Sequence, residues 1–526
     1  MKRFNITGMC VPEEHYMVNI EEKKLHIMNL IQDRKYFTIN RARQFGKTTT
    51  LALLERVLNN IPEYVCISLT FEGVGEDMFA SDEAFCREFL IQSSESLHHY
   101  GYDFADDWID ENVKGFSSLG RHISKLCSGK KIVLFVDEVD ATSNNRVFLR
   151  FLSMLRSLFL KRSGRKAETF HSVVLAGVHD IKNIKLKLIN EGLYNRQSEQ
   201  EGEYNSPWNI ATDFTVDMSF TAPEISTMLQ EYEEDKSAGM DIAAVSEEIF
   251  RFTGGYPYLV SRICKCIDEG ESSGGWTVEG VQSAVKIVAL EKSVLKDDIF
   301  KNMENNKAIY DFMYKLLIVG SNMRASLFDP LIERCVMFGF ITVDSQGKPV
   351  ISNKLFEMAM TDYFISKENT AAHVSNQVSN GMYVEVTGGG KFDMALCLRK
   401  FAEHYSEIYA SAAVNFLETH GRMIFLSFLK PLVNGNGFFH IESQFTDMRR
   451  MDVVVDYGRE QFIIELKLWR GERAQDKAYE QLLNYMESKG LDKGYLLTFD
   501  FRGEENKSPK AEWIPVGSKQ IFEVIV

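Results

Sequence analysis

Hydrophobic positions in the first 220 residues fall into two kinds of run. Short, nearly continuous apolar stretches recur: "KYFTIN" (35–40), "YVCISLTF" (64–71), "KKIVLFVDEVDA" (130–141), "HSVVLAGVHD" (171–180) and "DFTVDMSF" (213–220). Between them apolar residues return at helical spacing, as at Leu51, Leu54 and Leu58, and in "RVFLRFLSMLRSLFL". Continuous apolar strands suit a parallel sheet covered on both faces. Strands alternating with helices predict a doubly wound α/β domain that binds its ligand at the carboxyl ends of the strands.

After residue 222 the pattern turns helical. Thr221-Ala-Pro-Glu224 is a capping box with proline in the first turn. The glycines and proline of "FTGGYPYLVSRIC" (252–264) break one helix from the next. Two β-like runs flank "DSQGK" within 336–353, a hairpin between helices that suggests a winged helix. A polar, small-residue stretch follows and reads as a linker. Helical patterns then run from about 393 to 432, and "GFFHIESQF", "RRMDVVVDYGREQFIIELKLWRG", the helix "ERAQDKAYEQLLNYMESKG" and "GYLLTFD" form a second α/β unit. The expected organisation is an α/β core over 1–222, a helical lid over 223–290, a winged-helix-like segment over 291–366, a linker over 367–383 and a final α/β domain over 384–526.

Candidate chemistry sits at the ends of these strands. "RARQFGKTTT" (41–50) lies between the first strand and the first core helix. Gly46-Lys47-Thr48 in that context has the parts of a phosphate-binding loop. Backbone N–H groups and a helix N-terminus face the phosphates, the lysine reaches the β/γ oxygens, and the hydroxyl ligates Mg²⁺. Arg41 stands where such a loop usually has its first glycine. About 90 residues on, Asp137 ends an apolar strand and could hold Mg²⁺ through water, while Glu138 could orient and deprotonate the attacking water. A solvated acidic turn is the plainer reading of that pair. His179, just past the fourth strand, is a candidate γ-phosphate sensor or a surface-turn histidine.

The C-terminal unit carries a second set. Asp452 starts one strand, and Glu465 and Lys467 share a face of the next, since residues i and i+2 of a strand point the same way. A charged pair in an otherwise apolar strand costs burial energy unless it has a partner. A divalent ion shared with Asp452 would supply one. A salt-bridged hairpin is the alternative.

Composition limits the function classes. The chain has 526 residues, 45% hydrophobic and 25% charged, enough for three or four globular domains. No apolar run approaches the ~18 residues of a membrane helix, and "MKRFNITGMC" lacks the apolar core of a secretory signal. Eight scattered cysteines, of which only Cys264 and Cys266 are close, read as reduced thiols in a cytoplasmic protein. The net charge of −14 excludes wholesale wrapping of nucleic acid, so phosphate-backbone contact must be local or metal-assisted.

Taken in order, "FNITGMCVPEEHYMV", "RQFGKT", "LFVDEVDA", "LAGVHDI", "SPWNI", "TGGYPYLV" and "RMDVVVDY…FIIELKLWRGE…YEQLLNYM…GYLLTFD" resemble bacterial proteins that join an N-terminal AAA-like ATPase domain to a C-terminal PD-(D/E)XK nuclease-superfamily domain. The resemblance runs nearly end to end. It implies a P-loop ATPase core with helical lid and winged helix, then a restriction-endonuclease-like α/β domain. In that family the phosphate loop often lacks its first glycine and keeps an arginine–glutamine pair, matched here by Arg43 and Gln44. The resemblance further implies nucleotide contacts from Gly46, Lys47, Thr48, Thr49 and the lid Pro257, with His15 and Tyr16 beside the adenine. Mg²⁺ would lie at Thr48 and Asp137, and Mg²⁺ or Mn²⁺ at Asp452 and Glu465, with Lys467 acting on water. Glu418 and Gln481 match an acidic residue and a glutamine that recur on the nuclease fold's helices. No arginine finger stands out among Arg150, Arg156 and Arg262. The function implied is ATP hydrolysis coupled to cleavage of nucleic acid, DNA foremost, with homo-oligomerisation left open. A nucleotide-dependent switch whose C-terminal domain binds a partner without cutting is the alternative.

Overall fold

The computed structural model describes residues 2–139, 146–177, 208–319, 326, 329–371, 385–387, 391–409, 418–433, 437–441, 453–458, 460–501 and 510–526. The chain divides into two compact bodies, one of Met1–Val281 with Glu333–Gly339, the other of Gln282–Ile332 with Phe340–Val526.

The first body is built on four parallel strands, β1 (Tyr36–Asn40), β2 (Tyr64–Thr70), β3 (Lys131–Asp137) and β4 (Ser172–Gly177), in the order β1-β4-β3-β2. Residues of β3 and β4 are buried almost without interruption, as continuous apolar runs require when both faces are covered. On one face Val65, Ile67, Leu134 and Val173 pack under α3 (Asp82–His99), α4 (Phe116–Leu126) and α5 (Arg146–Ser163). On the other, Phe37, Ile39, Val133 and Phe135 meet α1 (Glu21–Gln32) and α2 (Lys47–Asn59), the latter through Leu51, Leu54 and Leu58.

The alternating stretch 213–220 does not form the expected fifth strand. Thr212 makes one isolated parallel bridge to Phe37, and the segment then runs beside β1 without a ladder. Phe214 stacks on Phe37 with ring centroids 5.9 Å apart, so the apolar alternation is used in packing. The Val216 carbonyl accepts from the Arg41 guanidinium at 2.6 Å, a side-chain donor where a ladder would use a backbone N–H.

Thr221 and Glu224 cap α6 (Ala222–Lys236) reciprocally, as their spacing predicts. The helices α7 (Ile242–Thr253) and α8 (Pro257–Asp268) meet at Gly254-Gly255. Gly255 has φ +74°, and a Cβ there would lie 1.8 Å from the Phe220 carbonyl oxygen, so only glycine fits.

α9 (Val278–Leu290) and α12 (Pro330–Met337) each cross from one body's share of the chain to the other's. The second body holds α10 (Val294–Glu304), α11 (Lys307–Tyr314) and the hairpin β5 (Ile341–Val343) and β6 (Pro349–Ile351), flanking the expected turn. α13 (Lys354–Ala371) extends five residues into the stretch read as linker, because Lys, Glu and Ala favour helix after the apolar period has ended. Residues 372–383 lie outside the described residues.

Beyond them come α14 (Met394–Tyr409), α15 (Glu418–Val433), β7 (Gly437–His440), β8 (Val453–Tyr457), β9 (Glu460–Leu468), α16 (Glu472–Lys489), β10 (Lys493–Phe499), β11 (Lys510–Val516) and β12 (Lys519–Ile525). Their six strands form one mixed sheet, β11-β12-β10-β9-β8-β7, with β10 parallel to both β9 and β12. All eight cysteines are free, and among the described residues no helix is long and apolar enough to cross a membrane.

His171, at the entry to β4, is buried beside Arg34, Lys131 and Arg162; burial first and then these cations push its pKa from 6.5 down to about 4. The folded state therefore binds fewer protons than the unfolded chain between those values. Its contribution is intact above about pH 6.5 and is lost as pH falls towards about 4, by about 1–2 kcal/mol after solvent screening. Urea unfolding at about pH 7 and about pH 4.5 should show His171→Gln losing less stability than the wild type over that interval.

Candidate functional site

The first site lies where β1 ends. Arg41–Gly46 leads into α2, and the sharp turns fall at Gln44 (φ +56°) and Gly46 (φ +76°). Arg41 does not adopt positive φ, so its position makes no demand for glycine. Its N–H donates to the Gly177 carbonyl on β4, and its guanidinium donates to the Asn40 carbonyl at 2.7 Å and to Val216. The cation also sits 5.4 Å from the Phe214 ring centre. Burial lowers the Arg41 pKa. This arginine clamps the loop's entry to two neighbouring segments. Arg41→Gly, which restores the usual loop sequence, is therefore expected to destabilise the protein by about 2 kcal/mol and to weaken nucleotide binding. Chemical denaturation and nucleotide titration would measure both.

Lys47 is buried at the mouth of α2, and its Nζ donates to the carbonyls of Arg41 and Ala42, both at 3.1 Å. The Thr48 hydroxyl donates to Asp137 Oδ2 at 2.6 Å, joining the helix to the end of β3 across 89 residues of sequence. Glu138 follows at φ +52°, an uncommon conformation for a residue with a side chain, and its N–H donates to Asp137 Oδ1 at 2.9 Å. The turn holds one carboxylate against the threonine. A hydroxyl and a carboxylate at this distance fit a hydrated divalent cation, and the helix N-terminus beside them fits an anion such as phosphate.

Beside the loop is a cavity of about 150 Å³, reached by Gln44, Gly46, Thr49, Tyr16 and Pro257 and walled by Val18, Leu53, Met218 and Phe220. None of its lining residues is charged, which suits a neutral aromatic base rather than phosphates. The Thr49 hydroxyl accepts the Cys10 N–H at 3.1 Å, fastening the N-terminal segment to α2. Tyr16 reaches the cavity and donates its hydroxyl to Asp235; burial, with that carboxylate, raises its pKa. His15 is not among the cavity's lining: it is buried, and its Nδ1 accepts the Val11 N–H at 2.8 Å, which shapes the N-terminal turn. The Arg43 carbonyl accepts from Tyr256. Of the three arginines considered for a finger, Arg150 pairs with Asp82 and Arg262 with Glu271, while Arg156 lies on α5. His179 lies outside the described residues.

The second site is on β9. Glu465 is fully buried, and Lys467 reaches it with Nζ 2.6 Å from Oε1 while keeping 26% of its own side chain exposed. Register places Leu496 beside Glu465 and Thr498 beside Lys467. α16 covers this face. Its first-turn residue Gln475 donates from Nε2 to Thr498 Oγ1 at 3.1 Å and to Glu523 Oε1 at 2.6 Å, and Lys510 pairs with the other Glu523 oxygen at 2.8 Å. Gln475 is thus set against Thr498, in the row of Lys467, and Gln481 lies half-buried farther along α16. Helical spacing marks Gln475: 475, 478, 482 and 485 form the buried stripe of α16, and 481 lies at the edge of that stripe, one turn before Tyr485. Glu418 is the first residue of α15. Asp452 lies outside the described residues. Among the described residues no group of three or more His, Cys, Asp or Glu side chains is placed to hold a metal ion.

The model of the AAA-like domain family matches residues 9–273, just over half of the chain. The chain belongs to the AAA-like domain family. That match contains the phosphate loop, Asp137, Glu138 and Pro257. A second match, to the PD-(D/E)XK nuclease superfamily, covers residues 438–509 and contains Glu465, Lys467 and Gln475. The two domain types imply use of a nucleotide and of a divalent metal. No curated protein matches the chain. Among solved structures it is similar to the Aeropyrum pernix ORC2 protein in its ADPNP-ADP complexes, at 10% identity over 66% of this chain and 93% of that one, TM-score 0.34. It is also similar to Drosophila ORC bound to AT-rich DNA and Cdc6, at 12% identity over 79% of this chain and 70% of that one, TM-score 0.26. Likeness this slight carries no argument about ligands of this AAA-like protein.

Proposed function

We propose that this AAA-like protein binds and hydrolyses ATP with Mg²⁺ in its N-terminal body, and that its C-terminal body cleaves nucleic acid, DNA foremost, with Mg²⁺ or Mn²⁺. The Thr48–Asp137 hydrogen bond carries the first half, since it brings the two motifs to one point. When ATP enters, Lys47 would exchange the Arg41 and Ala42 carbonyls for the β/γ-phosphates. Thr48 and Asp137 would hold the metal, whose chemistry is neutralising phosphate charge, and Glu138 would orient water for attack. Gly46, Gln44 and Arg43 would offer loop backbone to the phosphates, Pro257 and Tyr16 would close on the nucleoside, and His179 remains a candidate γ-phosphate sensor.

In the nuclease-superfamily domain, Glu465 with Asp452 would hold the metal, and Lys467 would position water for phosphodiester attack. The buried carboxylate with a lysine at its rim supports that assignment. Purified full-length protein should release phosphate from ATP with Mg²⁺ and cut single- or double-stranded DNA with Mg²⁺ or Mn²⁺. Phosphate release without scission of any DNA or RNA would leave the nucleotide-dependent switch and remove the nuclease.

A further inference from the structure

The parallel sheet of the first body has a second charged end, opposite the phosphate loop. The segments leading into β1, β4 and β3, which are neighbours in the sheet, hold Arg34 and Lys35, then Lys161 and Arg162 at the end of α5 with Arg165 and Lys166 beyond it, then Lys125 at the end of α4, Lys130, and Lys131 at the start of β3. Asp33, Glu63 and Glu168 lie in the same connections, and Asp103, Asp106 and Asp107 on the Lys130 side, so the nine cations exceed six carboxylates in a chain whose net charge is −14. All but Arg162 and Lys131 are exposed.

The cluster is physically tight. Arg162 donates to the Arg34 carbonyl at 2.8 Å and to the carbonyls of Phe170 and His171, and Lys131 pairs with Glu63. His171 is buried among Arg34, Lys131 and Arg162, and among the described residues its Nε2 has no hydrogen-bond partner. Cations this close repel one another, and an anion docked there would relieve that repulsion. Asp103, Asp106 and Asp107 border the patch near Lys130, whose ammonium lies over Phe104, and so confine it to the β1–β4–β3 side.

We propose that this end of the sheet is a docking surface for the phosphate backbone of nucleic acid, separate from both the nucleotide site and the nuclease-like site. Three adjacent turns at about 4.8 Å per strand give a stripe on the order of 10 Å wide, comparable to the spacing of a few phosphates. Its distance from the phosphate loop along β1 is on the order of 15 Å, so ATP and a nucleic-acid strand could be held together. The contact reads charge, not sequence.

The test uses full-length protein with EDTA and no ATP, so that binding is read without cleavage. Anisotropy of a labelled mixed-sequence duplex is followed against salt for the wild type and for Lys35→Glu/Lys161→Glu/Arg165→Glu/Lys166→Glu. The wild type is expected to lose affinity with a log–log salt slope of about −4, and the variant to bind at least ~10-fold more weakly with a shallower slope. The corresponding four-glutamine variant repeats the measurement should the glutamates impair folding, and retained binding of a fluorescent ATP analogue reports an intact first body. Unchanged affinity and slope in both variants, or no wild-type binding at low salt, would overturn the proposal. So would binding of anionic phospholipid vesicles, lost in the variants, without binding of the duplex. Absence of cleavage with Mg²⁺ would count against the nuclease alone and leave this result readable.

Discussion

Lys47→Ala is expected to abolish ATP hydrolysis, lowering kcat/KM by at least ~100-fold. On the proposed function this ammonium would meet the β/γ-phosphates from the first turn of α2, and the helix N-terminus alone would leave their charge unbalanced. Its partners in the structure are the Arg41 and Ala42 carbonyls, so the alanine variant also strips two acceptors of a donor. That structural loss is expected to cost about 1–2 kcal/mol, far too little to unfold the first body. Phosphate release measures the first effect and urea unfolding the second. Lys47→Met separates them further, because it fills the volume without supplying charge. Hydrolysis at the wild-type rate in either variant would remove this loop from the chemistry. A nucleotide-free protein that lost all cooperative unfolding would show instead that Lys47 is chiefly a strut.

The parts of this architecture that sequence makes legible are those set by local pattern. β1 to β4 follow from continuous apolar runs, and the cap at Thr221–Glu224 from spacing alone. Gly46, Lys47 and Thr48 are recognisable because their neighbours in sequence are also their neighbours in space. Features built from distant segments were not legible. Arg41 looks like a defect in a glycine motif until Val216 and Phe214, some 175 residues on, are seen to receive its guanidinium. The same contact explains why 213–220, which has a strand's alternation, runs along β1 with a single bridge. His15 sits in a motif suggestive of nucleoside contact, yet its ring closes a turn four residues back. Gln475 stands in no motif, and its place shows only in the buried stripe of α16 and its bonds to Thr498 and Glu523. The basic end of the sheet is dispersed from Arg34 to Lys166 in sequence and becomes a surface only when strand order is known.

Substitutions at Glu465 and Lys467 are expected to change stability in opposite directions while both eliminate cleavage. Glu465 is wholly buried, and an ionised carboxylate there is costly unless paired. Glu465→Gln removes the charge with little change in shape and leaves Lys467, with a quarter of its side chain exposed, free to turn towards solvent. The metal-free variant should be as stable as the wild type, or more so by about 1 kcal/mol. Lys467→Ala removes this partner and keeps the buried acid, which should cost about 3 kcal/mol. Calorimetric Mn²⁺ titration should show binding lost in Glu465→Gln and retained, though altered, in Lys467→Ala. Strand scission should fall by at least ~100-fold in both. A merely structural ion pair would give the same stability changes without the metal dependence: Mn²⁺ titrations would be the same in all three proteins and no strand scission would be seen.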